Sequence, residues 1–216
     1  MKFYESGDNR KPVIFLFPGT CCLYSSFDHV LDGLHSYFYT VTVSYDGFDP
    51  NEKTEFYSME DECEKIEQEI RKKHGGSIKA AYGCSLGGSF VSLLIQRKRI
   101  HIEHGIIGSS DMDEAGNLVA KIQASMVVPF MYKMVHTGAL PKFMQKKLNK
   151  TDEAKKELYN GFLNMFGIGK GGSPWITKQS IYNQFYSDLV TKIQHGIDVP
   201  GTTTVSYTHL TLPTIA

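Results

Sequence analysis

Four short runs of β-branched, aromatic and other apolar residues alternate with helical patterns through the first 110 residues, and that alternation leaves few folds open. Val13-Ile14-Phe15-Leu16-Phe17 is apolar throughout and closed by Pro18-Gly19, the pattern of a strand buried on both faces. Residues 39–45 (YTVTVSY) read as a second strand ending in the turn Asp46-Gly47, and residues 78–82 and 102–107 as a third and a fourth. Between the strands, Phe27, Val30, Leu31, Leu34 and Phe38 recur at helical spacing behind the capping residues Ser25 and Ser26. Met59, Cys63, Ile66 and Ile70 form another helical face, entered through the capping box Ser58-Met59-Glu60-Asp61 and left at Gly75 after Arg71, Lys72 and Lys73. A third helix carries residues 90–96. Strands that alternate with helices need crossover connections, and crossovers generate a parallel sheet covered by helices on both faces. The predicted class is α/β, with a mostly parallel central sheet.

The pattern changes after Asp111. Residues 111–196 keep helical spacing with polar linkers and no strand signal, so a helical lid is expected between a core at 1–110 and a further core strand starting at 197–203. Six of the eight methionines (Met112, Met126, Met131, Met134, Met144, Met165) fall here, with Phe130, Tyr132, Phe143, Phe162, Phe166 and Trp175. Thioethers and aromatics suit a lid lining an apolar pocket, and equally a lid that packs only on itself. Lys142, Lys146, Lys147, Lys150, Lys155 and Lys156 read as a solvated helix face. The glycine-rich residues 167–173 lack the Gly-Lys-Ser/Thr order of a phosphate loop and read as a hinge.

Lys plus Arg and Asp plus Glu number 23 each, so no net charge draws the chain to nucleic acid. No signal-peptide-like start and no run near the roughly 18 apolar residues of a membrane span is apparent, which makes the cytoplasm the expected address. The four cysteines lack the spacing of a zinc site or disulfide scaffold and are expected as reduced thiols. No cofactor or metal is implied.

Gly83-Cys84-Ser85-Leu86-Gly87 has the form G-x-S-x-G and lies between a predicted strand and a predicted helix. A sharp strand-to-helix turn strains the serine backbone, and glycines two residues to either side remove the side chains that would collide. The hydroxyl then projects from the sheet edge as a nucleophile. N–H groups at the start of the following helix favour an oxyanion on an attacked carbonyl, and Leu86 N–H is the first such donor.

On this motif and the elements around it, residues 11–203 resemble the α/β-hydrolase superfamily, in its serine esterase and lipase-like branch. The resemblance implies a second oxyanion donor in the loop after the first central strand. The matching residues are Phe17-Pro18-Gly19-Thr20, with proline where the family usually has histidine, and the donor carried over is Thr20 N–H. It also implies the order serine, acid, histidine, with the acid after the post-lid strand and the histidine after the last strand. Asp111, which follows the fourth predicted strand, is an alternative position for the acid and also a candidate helix cap. His29, His35, His74, His101, His104, His136 and His195 precede the position the base requires.

The segment 205–214 (VSYTHLTLPT) resembles one reading frame of a transposase sequencing adapter, GTC TCT TAT ACA CAT CTG ACG CTG CCG ACG. Residues 204–216 are therefore expected to be non-native, and His209 to belong to the adapter rather than to a triad. The expected chemistry is cleavage of carboxylic esters or related acyl bonds through an acyl-enzyme on Ser85, inactive in the chain as it stands. Acyl transfer at the same site, or a non-catalytic binding protein, are the alternatives. The expected partner is a small apolar acyl substrate.

Overall fold

The computed structural model describes residues 1–110, 114–142, 145–146, 152–166, 171–194, 196 and 198–207. Its strands are β1 (Lys2–Ser6), β2 (Val13–Phe17), β3 (Tyr39–Ser44), β4 (Ser77–Cys84), β5 (His101–Gly108) and β6 (Thr203–Tyr207). Its helices are α1 (Asp28–His35), α2 (Met59–His74), α3 (Leu86–Arg97), α4 (Asn117–Thr137), α5 (Glu153–Asn164) and α6 (Lys178–Val190), with a 3-10 turn at Tyr24–Phe27. The strands form one sheet in the order β1-β3-β2-β4-β5-β6. Only β1 runs antiparallel, against β3, and every other pairing is parallel.

The period of two along β2 divides the core. Phe15 and Phe17 face one side, with Cys63, Ile66 and Ile70 of α2 and Phe90 and Leu94 of α3. Ile14 and Leu16 face the other, with Phe27, Leu31 and Leu34. The helices thus cover both faces. α2 begins where its capping box predicts, with Asp61 N–H donating to the Ser58 hydroxyl at 3.1 Å, and ends at Gly75 with a left-handed φ of 62°.

β1 carries no apolar run and was not legible in the sequence. It is an edge strand on which Phe3 packs against the core while Glu5 is exposed. The post-lid strand begins at Thr203, later than expected, because Thr202 N–H bonds to Val199 O at 3.0 Å and turns the chain there. All five residues of β6 are exposed, so backbone pairing with β5 holds it rather than burial.

α4 is long and apolar enough to cross a membrane by length and composition, contrary to the expectation from the sequence. Ala124, Val128 and Val135 on one of its faces are buried in the main core cluster.

Candidate active site

Ser85 sits between β4 and α3 with φ 55° and ψ −128°, a region that only local over-determination makes tolerable for a non-glycine residue. The constraints are visible around it. Ser85 N–H donates to Gly108 O at 2.8 Å, and Ser85 O accepts from Gly88 N–H at 2.8 Å and Ser89 N–H at 3.2 Å. A Cβ on Gly83 would lie 2.0 Å from Gly87 O, and one on Gly87 would lie 2.1 Å from Phe17 O. Neither clash involves a side chain that could move aside, so both positions exclude every other residue. Ser85 is exposed, and its hydroxyl has no hydrogen-bond partner among the described residues.

The loop after β2 closes on this turn. A Cβ on Gly19 would stand 3.7 Å from Ser85 Cβ and 3.3 Å from Cys84 O. Cys22 N–H donates to Gly19 O at 3.0 Å, making a tight turn with Thr20 and Cys21 at its centre. Among the described residues, neither Thr20 N–H nor Leu86 N–H has a hydrogen-bond partner. The fully buried Tyr45 donates its hydroxyl to Pro18 O at 3.1 Å and stacks on Phe90 at 4.7 Å, supporting the loop from below.

Ser85, Leu86 and the Gly19-Thr20 turn are thus brought together at the carboxyl ends of β2 and β4, where ligands bind in open α/β sheets. Asp111 and His209 lie outside the described residues, as do Met112, Phe143, Met144 and most of the glycine-rich stretch. His195 lies outside them as well, and several of the described histidines have partners of their own away from Ser85. His35 Nε2 contacts the hydroxyls of Ser6 and Thr40 at 2.9 and 3.2 Å. His74 packs edge-on to Phe15, and His101 and His104 lie in the half of β5 away from Gly108. Tyr207, the last residue of β6, pairs with Gly108, whose carbonyl accepts from Ser85 N–H.

The helical segment reaches over these loops. Cys21 N–H donates to Gln184 Oε1 at 2.7 Å, Leu23 N–H to Met165 O at 3.0 Å, and Trp175 Nε1 to Phe48 O at 3.4 Å. None of these contacts had a signal in the sequence, because each joins residues more than a hundred positions apart.

The described cysteines are all free. Burial pushes the Cys84 thiol up, and burial together with Cys84 pushes Cys22 up to about 12, so neither is a thiolate nucleophile beside the serine. Ligand oxygens of Asp46, Asp61 and Glu62 fall within 4.8 Å of one another, a spacing that could hold a metal ion. Lys65 Nζ pairs with all three carboxylates and the amino group of Met1 with Asp46, so ammonium groups already meet that charge. Burial pushes the Asp46 carboxyl up, but Lys65 and the Met1 ammonium outweigh it and hold the group low.

Neither a protein-family model nor a curated protein matches the sequence. Solved structures do match the fold. An α/β hydrolase family protein from Desulfitobacterium hafniense aligns with TM-score 0.68 and 14% identity over 88% of this chain and 73% of that one. MenH from S. aureus aligns with TM-score 0.67 and 12% identity over 94% and 78%. A thermophilic esterase from Thermogutta terrifontis aligns with TM-score 0.64 and 14% identity over 89% and 68%. The chain has the α/β-hydrolase fold. Proteins named as hydrolases, an esterase among them, are among its neighbours in structure.

Proposed function

We propose that the protein is a serine hydrolase that cleaves carboxylic esters or related acyl bonds. The observation that carries this reading is the backbone of Ser85: a non-glycine residue at φ 55°, locked by Gly83, Gly87 and Gly108, with its hydroxyl exposed. Such strain is retained where it sets a reactive group. In the first step Ser85 Oγ attacks the acyl carbonyl, its proton passing to a histidine base. The oxyanion is met by the free N–H groups of Leu86 and Thr20, and the alcohol leaves with that proton. Water then attacks the acyl-enzyme, gives its proton to the histidine, and releases the acid and Ser85.

In this reading the histidine and the acid come from codons downstream of residue 203 in the source gene, and residues 204–216 are adapter-derived. The complete exposure of β6 supports this, since a native strand at that place in a covered parallel sheet buries residues on at least one face. Asp111 stays an alternative acid. The helices after residue 111 act as a lid, supported by their bonds to the loops after β2 and β3. The substrate is a small apolar acyl compound, and free cysteines suit a cytoplasmic address. Acyl transfer to an acceptor other than water uses the same groups, so it stands as the second reading.

The test is turnover of p-nitrophenyl esters of graded chain length by the protein expressed from its complete reading frame. Mass analysis after treatment with a fluorophosphonate accompanies it. A single adduct on Ser85 supports the reading, and a protein neither labelled nor active contradicts it.

A further inference from the structure

The turn that carries Thr20 is held in place by a residue far along the chain. Cys21 occupies its third position with φ 59°, a left-handed conformation that is strained for a non-glycine residue. A turn of this kind is free to relax by rotating its central peptide, which here joins Thr20 to Cys21. Rotation would remove the strain, and it would also turn the Cys21 N–H away from where it now points. Gln184 on α6 opposes that rotation: its Oε1 accepts from Cys21 N–H at 2.7 Å in a fully buried setting.

Gln184 has no exposed surface, and its Nε2 is buried without a partner. An unpartnered buried amide is destabilising, a penalty that an apolar residue of the same shape would avoid. The orientation of the amide is fixed by its neighbour, because a Nε2 facing the Cys21 N–H would set two donors against each other. What the side chain contributes is therefore the Oε1 contact.

We propose that Gln184 is a positioning residue for the oxyanion site: through Cys21 N–H it tethers the Gly19–Cys22 turn to α6, and the Gly19–Thr20 peptide of that turn presents Thr20 N–H to a carbonyl oxygen at Ser85. This rests on the nucleophile assignment made above. It makes α6 a structural part of the active site: movement of that helix would move an oxyanion donor.

The test uses the protein from its complete reading frame and three sequences: the parent, Gln184→Met, which keeps the shape without the acceptor, and Gln184→Glu. Burial favours a neutral acid in Gln184→Glu near pH 6, so that variant retains a carbonyl acceptor. Gln184→Met is expected to lower kcat about 10–100-fold with KM within about twofold, since an oxyanion donor acts in the transition state. Fluorophosphonate labelling of Ser85 should slow in parallel. Gln184→Glu at pH 6 should recover most of kcat. A folded Gln184→Met with unchanged kcat, or a loss in KM alone, overturns the proposal. If Gln184→Met does not fold, Gln184→Glu decides: a folded variant with kcat collapsed at pH 6 overturns it, and one within a few-fold of the parent supports it. A parent that is not labelled at Ser85 defeats the nucleophile reading instead, so the two failures are told apart.

Discussion

Ser85 N–H and Gly108 O, 2.8 Å apart, join the turn after β4 to the end of β5. The turn is braced from the neighbouring strands on both sides. Phe17 O of β2 lies where a Cβ on Gly87 would fall, and Gly83 sits on β4 itself.

Alanine at Gly83 or Gly87 should unfold this corner. Each new Cβ would stand near 2 Å from a backbone atom, so the strands must part, at a cost of about 3 kcal/mol or more. Gly33 is the control: it is exposed within α1, and a Cβ added there would meet no atom within 4 Å. Gly33→Ala should stabilise by about 0.5–1 kcal/mol. Urea unfolding midpoints of the three variants check both signs.

Glu62 gives a pH dependence of stability. Burial, then the nearby Asp46 carboxylate, push it to about 7 from its ordinary 4.5. A group with a raised folded pKa stabilises fully below its unfolded value, and that stability is lost as pH rises through the folded one. The window is pH 4.5 to about 7, with a loss of about 3 kcal/mol. Glu62→Gln should flatten the fall in Tm between pH 5 and about 8. An equally steep fall in that variant would remove Glu62 as its source.

Phe130 and Met131 are neighbours in sequence with opposite surroundings. Phe130 is 40% exposed on α4, whereas Met131 packs against the main core. Phe130→Ser should change stability by less than about 0.5 kcal/mol, and Met131→Ala, at a partly buried position, should cost about 1 kcal/mol or more. If Met131 also lines an acyl pocket, its loss raises KM for octanoyl esters more than for acetyl esters. Equal effects on both esters would confine it to packing.

The strands and helices of the first 110 residues were legible because continuous apolar runs and helical spacing are local signals, and α2 carried both caps in its sequence. β1 was not, since none of its five residues is buried and its burial does not alternate. Ser85 and its glycines were legible for the same local reason. Gln184 and Gly108 were not, because their parts in the site arise from contacts made only when distant segments meet. The apolar length of α4 was missed because Lys121 and Lys133 break the run into shorter pieces.

His209 tests the origin of the tail. If residues 204–216 derive from adapter sequence, the 216-residue chain should turn over esters close to background, and His209→Ala should change nothing. The comparison is with the chain extended through its source codons. Equal rates for the two chains, with activity abolished by His209→Ala, would make the tail native and His209 the base.

The most direct measurement concerns Ser85 itself: steady-state ester hydrolysis by the protein from its complete reading frame and by Ser85→Ala, with intact mass after fluorophosphonate treatment. Losing the nucleophile should lower kcat/KM by about 10⁴-fold or more and abolish the adduct, while folding is unchanged. A Ser85→Ala protein that retains activity within tenfold of the parent (roughly 1.4 kcal/mol), or that still forms the adduct, would contradict a serine hydrolase built on this turn.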